Sequence, residues 1–183
     1  MAKSTDELHW RETYFILFPQ DRRPQLETVA KALSEANAHY QLENLADDDG
    51  GLLQSMLVES HEDHAAVEIS YEVGEGVIEQ NLEWAKLLEA DLLPDQLQEM
   101  IKADARLDVA HFERVPAGRS DPASPKSPFN DERGNDEWGD DEFGSEEDNF
   151  EMLDPTCLLT VVDALSQLTH GLTYDPASGE ILS

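Results

Sequence analysis

The sequence predicts an α+β domain, an antiparallel sheet carrying two helices, with a further helix and β-hairpin at the C-terminal end. Three observations predict it. Tyr14-Phe15-Ile16-Leu17-Phe18 is an unbroken apolar run ended by Pro19, which suits a strand buried on both faces. Val67, Ile69, Tyr71 and Val73 alternate with Glu68, Ser70 and Glu72, the pattern of a strand with one wet face. Leu158, Val161, Val162, Leu165 and Leu168 recur at spacings of three and four, which puts them on one side of a helix.

Taken in order, residues 1–12 are polar and are expected to form a flexible leader, with the domain proper over residues 13–115. After strand 14–18, Leu26, Val29, Ala30, Leu33 and Ala36 stripe one side of a helix over 24–37. His39 to Leu45 alternates weakly, and Asp47-Asp48-Asp49-Gly50-Gly51 signals a loop before a strand over Leu52 to Glu59. Strand 66–73 is followed by a helix with Val77, Ile78, Leu82, Ala85 and Leu88 on one side. Pro94 interrupts it, and Leu97, Met100 and Ile101 continue on a second short helix. Leu107 to Val115 closes the domain as a strand, with Leu107, Val109 and Val115 on one face and Ala110 and Phe112 on the other. This β-α-β-β-α-β order, allowing one extra strand in the middle, predicts a ferredoxin-like sheet with its helices on one face. Strand 14–18 should be central, with strand 66–73 beside it.

Residues 152–183 form the next unit. Asp154-Pro155 starts the helix, with a capping carboxylate and a proline at a position that needs no amide. Gly171 suits the left-handed residue that closes it. Asp175-Pro176-Ala177-Ser178-Gly179 supplies the turn between strands Leu172–Tyr174 and Glu180–Leu182. A helix and one hairpin cannot stand alone in water, so this unit is expected to dock on the main domain, over the second face of the sheet or at its edge. A homodimer formed through that face is the competing way to cover it.

The chain has 12 Lys and Arg against 41 Asp and Glu, a net charge of −29 over 183 residues. Such a field repels phosphate backbones and anionic lipid, and so excludes direct nucleic-acid and membrane-surface partners while favouring basic protein partners. The single Cys157 excludes an internal disulfide, no run reaches the length of a membrane span, and Met1 to Trp10 lacks the basic-then-apolar character of a secretory signal. A cytoplasmic location is expected.

Catalytic and metal signatures are sparse. His61-Glu62-Asp63-His64 gathers two imidazoles and two carboxylates, but no third and fourth ligand follows at recognisable spacing, so no metal or cofactor is assigned. The carboxylates of Asp47 to Gly50 and of Asp136 to Asp141 do not fit the calcium-loop pattern. Cys157 near a helix start and His111 within an apolar strand are the remaining reactive groups, and neither has a partner in a known catalytic motif.

Residues 116–151 are expected to be a disordered acidic linker: Pro122, Pro125 and Pro128 lead into 130–151, with eleven Asp or Glu against one Arg. Trp138, Phe143 and Phe150 are spaced through that charge, and with Asp140, Asp141 and Glu142 they form the candidate partner-binding set. Aromatics would anchor while charge steers.

In organisation, strand 14–18, helix 24–37 and the order of elements to Val115 resemble the regulators of ribonuclease activity B, which pair a ferredoxin-like domain with an acidic segment and inhibit a ribonuclease by binding it. That family's Tyr-Asp-Gly-Trp sequence is replaced here by Val109-Ala110-His111-Phe112, and no residue role is carried over. The expected function is a non-enzymatic inhibitor, immunity-type protein or adaptor that recognises a basic protein surface. The alternative is an enzyme or metal-dependent module using His61, His64 or His111.

Overall fold

A computed structural model describes residues 6–115 and 154–182. The acidic stretch 116–151, with Trp138, Asp140, Asp141, Glu142, Phe143 and Phe150, lies outside the described residues. The order is β1 (Glu7–Phe18), α1 (Leu26–Ala36), β2 (Gln41–Asp47), β3 (Leu53–Ser60), β4 (Ala65–Val73), α2 (Glu75–Leu88), α3 (Pro94–Lys102), β5 (Ala105–Val115), α4 (Thr156–Thr169), β6 (Leu172–Asp175) and β7 (Glu180–Leu182).

All seven strands join one antiparallel sheet in the order β2-β3-β4-β5-β1-β6-β7. The class is α+β as expected, but the arrangement is not ferredoxin-like. That fold needs β1 parallel to a neighbouring strand. Here β5 pairs with β1 from Glu7↔Val115 to Phe18↔Ala105, and β6 takes the other side of β1. Strand β1 is internal, yet β4 is not its neighbour, because β5 stands between them. Strand β1 also reaches back to Glu7, so residues 7–12 of the expected leader are sheet.

The doubly apolar run of β1 follows from helices on both faces rather than one. Ile16 and Phe18 point to a first face, where they pack with Val29 and Leu33 of α1 and Leu158, Val161 and Leu165 of α4. Leu17 points the other way, against Ala85 of α2, Met100 of α3, and Leu172 and Tyr174 of β6. The C-terminal unit thus docks as expected, with Leu158 and Leu165 fully buried and Val162 nearly so. Helix α2 differs in phase from its expected stripe: Val77, Asn81 and Ala85 are buried, while Ile78 and Leu82 are exposed at the rim. Asn81 is the reason a purely apolar stripe misplaces the face, since its amide donates to the Ala103 carbonyl at 2.9 Å.

Helix α4 starts one residue later than expected: Pro155 is the capping residue rather than the first helical one, and Asp154, just before it, accepts from the Thr156 amide at 2.9 Å. Its end differs too. His170 takes the left-handed conformation (φ 49°, ψ 37°) assigned by sequence to Gly171. In the hairpin, Asp175 accepts from the amides of Ala177 and Gly179, and Gly179 has φ +74°, the turn chemistry expected of those residues. No helix among the described residues is long and apolar enough to cross a membrane.

A candidate docking groove on the open sheet face

Residues paired across neighbouring antiparallel strands share a face. On the second face one row runs Trp10, Phe112, Ala66, Glu59, Gln41, and the next runs Thr13, Ala110, Glu68, Leu57, Glu43. Helices α2 and α3 cover the opposite end of this face. There Phe15 stacks on Trp84 and Trp84 on Tyr174, each at 4.9 Å between ring centroids. Toward Leu8 and Trp10 the face opens into a groove of about 290 Å³ lined by Leu8, Asn44, Ser55, Leu57, Glu68 and Phe112. Its Leu8 wall is 44% exposed, and Trp10, paired across the strands with the lining Phe112, is 61% exposed beside it. The Trp10 indole N–H donates to the Thr13 hydroxyl at 3.0 Å.

Two irregularities shape the groove. Between Trp10 and Glu12 the β1–β5 register shifts, which inserts Arg11 and lets it pair with Glu113. Between Glu43 and Ala46 the β2–β3 register also shifts, and Asn44 there adopts φ 50°, a conformation asparagine tolerates better than most residues. At one end Arg114 is held by Glu59 at 2.9 Å and by Asp6 at 3.8 Å, so its charge is locally offset.

The protein seats two of its own guanidinium groups in a common way. Arg23 lies 4.0 Å from the Tyr71 ring centroid and 3.0 Å from the Asp48 carboxylate, and donates to the Leu53 carbonyl at 2.8 Å. Arg106 lies 4.7 Å from the Phe15 centroid and 2.7 Å from Asp108. Burial pushes the Asp108 carboxyl up, and Arg106 opposes that shift. Asp48 is held below the usual carboxylate range by the Leu52 and Gly50 amides and by Arg23. That is the work of the Asp47–Gly50 carboxylates in this fold: closing a loop.

The histidines considered for chemistry are not brought together. His61 is exposed, its Nε2 3.2 Å from the Gln41 side-chain oxygen. His64 occupies the same turn at φ 49°, its carbonyl accepting from the Arg114 amide. His111 is buried on the first face, with Nδ1 3.4 Å from the Glu12 carboxylate. Among the described residues no three His, Cys, Asp or Glu side chains are grouped to hold a metal ion. Cys157 is buried, and burial pushes its thiol up to about 11, with the Asp63 and Asp154 charges adding and a Tyr40 hydrogen bond opposing.

Sequence reasoning missed Leu8 and Trp10 because the polar stretch around them hid their period-two alternation with His9 and Arg11. No protein-family model, curated protein or solved structure matches the chain.

Proposed function

We propose that the chain is a non-enzymatic interaction protein, an inhibitor, immunity-type protein or adaptor, that recognises a basic protein surface. The observation that carries this reading is a surplus of carboxylates far beyond the number of cations in the chain. Five of the 12 Lys and Arg, namely Arg11, Arg23, Lys31, Arg106 and Arg114, each pair with a carboxylate, and the excess of 41 Asp and Glu over those 12 cations is a net −29 that acts on solvent and on partners. Such a field accelerates encounter with cationic surfaces and rejects anionic ones. The open groove adds apolar contact beside that charge. In the acidic stretch, Trp138, Phe143 and Phe150 serve as further anchors and Asp140, Asp141 and Glu142 as the steering charge.

The test is capture of partners from the native host, followed by titration of the purified partner against the full chain at about 0.05 and about 0.5 M salt, where the screening length falls from over 10 Å to a few ångströms. A basic partner whose association slows steeply with salt supports the reading. An acidic or neutral partner bound equally well at both salts defeats it.

A further inference from the structure

We infer that the groove beside Trp10 seats an arginine of an extended segment of that basic partner, its guanidinium held between the Phe112 and Trp10 rings and the Glu68 carboxylate. This rests on the interaction reading above and assigns it a site.

The chemistry is that of the two internal seats. Arg23 meets one ring face and Arg106 two, those of Phe15 and Trp84, and each meets a carboxylate. In the groove the same two groups, the Phe112 ring and the Glu68 carboxylate, line one concavity, with Trp10 paired to Phe112 in the adjacent strand. Leu8 and Leu57 supply aliphatic walls for the arginine stem, which buries its methylenes while its head stays polar. A planar, weakly hydrated guanidinium suits a ring-and-carboxylate seat better than the compact ammonium of lysine.

Size and charge narrow the occupant further. A groove of about 290 Å³ is at the lower bound of sites that enclose a small ligand, so it takes a side chain or two of an extended segment rather than a helix. The carboxylates of Glu43, Glu59 and Glu68 share this face. A second copy would bring like charges together across the contact, whereas a cationic segment is drawn in. Arg114, at the groove's end, is already held by Glu59 and Asp6.

The experiment uses the full chain and fluorescein-labelled octapeptides of alternating Arg and Ser or alternating Lys and Ser, followed by anisotropy at about 0.05 M salt. The Arg peptide is expected to bind at least about fivefold tighter than the Lys peptide. Glu68→Lys should weaken the Arg peptide at least about tenfold, because it places a like charge in the seat. Glu27→Lys makes the same change in net charge at an exposed position of α1, on the other face, and should cost less than about twofold. Trp10→Ala, at an exposed position, should weaken binding about threefold or more without altering Tm. Equal losses in Glu68→Lys and Glu27→Lys would overturn the groove while leaving the charge reading standing. No binding of either cationic peptide would sink both. A dimer of the free chain that Glu68→Lys dissolves would hand the face to a second copy and overturn the arginine seat.

Discussion

A Cβ placed on Gly171 would lie 2.7 Å from Cγ2 of Ile16 and 2.9 Å from the carbonyl oxygen of Leu17. This glycine is required by the closeness of β1 and not by its own dihedral angles. The left-handed turn falls instead on His170. Ala at 171 should therefore destabilise the protein by about 1–3 kcal/mol, the cost of forcing atoms into a packed interior against backbone that cannot yield. Gly at 170 relieves a strained φ but adds unfolded-state entropy, two effects of about 1 kcal/mol each with opposite sign. Chemical denaturation of both variants checks the pair. A larger loss at 170 than at 171 would reverse the assignment.

Arg23 makes a second test of packing. Its guanidinium meets the carbonyls of Leu52 and Leu53, the side chains of Asp48 and Gln54, and the Tyr71 ring, tying the start of α1 to β3 and β4. Lysine keeps the charge but cannot reach these groups together. Arg23→Lys should cost about 1.5–3 kcal/mol, the range for hydrogen bonds to a charged group. A loss below about 0.5 kcal/mol, typical of an ordinary surface change, would make the cluster incidental.

These residues show how far the sequence could be read. Local patterns were legible: the alternation of β4, the stripe of α4, the break at Pro94 between two helices, and the Asp175–Gly179 turn all come from chemistry between near neighbours. Strand order was not legible, because nothing local says that β5 will separate β4 from β1. The side of the sheet taken by each helix was also hidden. Phe15 and Leu17 require something on the second face, but only tertiary packing reveals it as α2 and α3. The groove was missed for the same reason, since Trp10 and Phe112 are remote in sequence and meet only through the β1–β5 register.

Alkaline pH should probe the first-face core. Burial raises the Cys157 thiol to about 11 and also raises Tyr40, whose hydrogen bond to Cys157 links the two. A group whose folded pKa is raised contributes its full stability below its unfolded value and loses it as pH climbs through the folded one. Stability should thus decline from about pH 9 toward pH 11 as the unfolded thiol ionises and the folded one does not. Urea midpoints measured at intervals over that window, compared with Cys157→Ala, check this. An identical decline in the variant would remove the thiol from the account and leave the tyrosines.

The last expectation concerns the acidic stretch and separates anchoring from steering. Replacing Trp138, Phe143 and Phe150 with Ser keeps every charge, so the long-range field and the association rate at low salt should hardly change. If those rings seat on the partner, dissociation should quicken, because truncating a buried aromatic anchor costs upward of about 2 kcal/mol. Charge reversal of Asp140, Asp141 and Glu142 to Lys should do the opposite, slowing association and flattening its salt dependence while dissociation moves less. Stopped-flow measurement of both variants with the captured partner, beside Glu68→Lys, resolves the contributions. Faster dissociation in the aromatic variant places anchors in the stretch. Unchanged kinetics in both stretch variants, with a loss in Glu68→Lys, would transfer recognition wholly to the groove on the sheet.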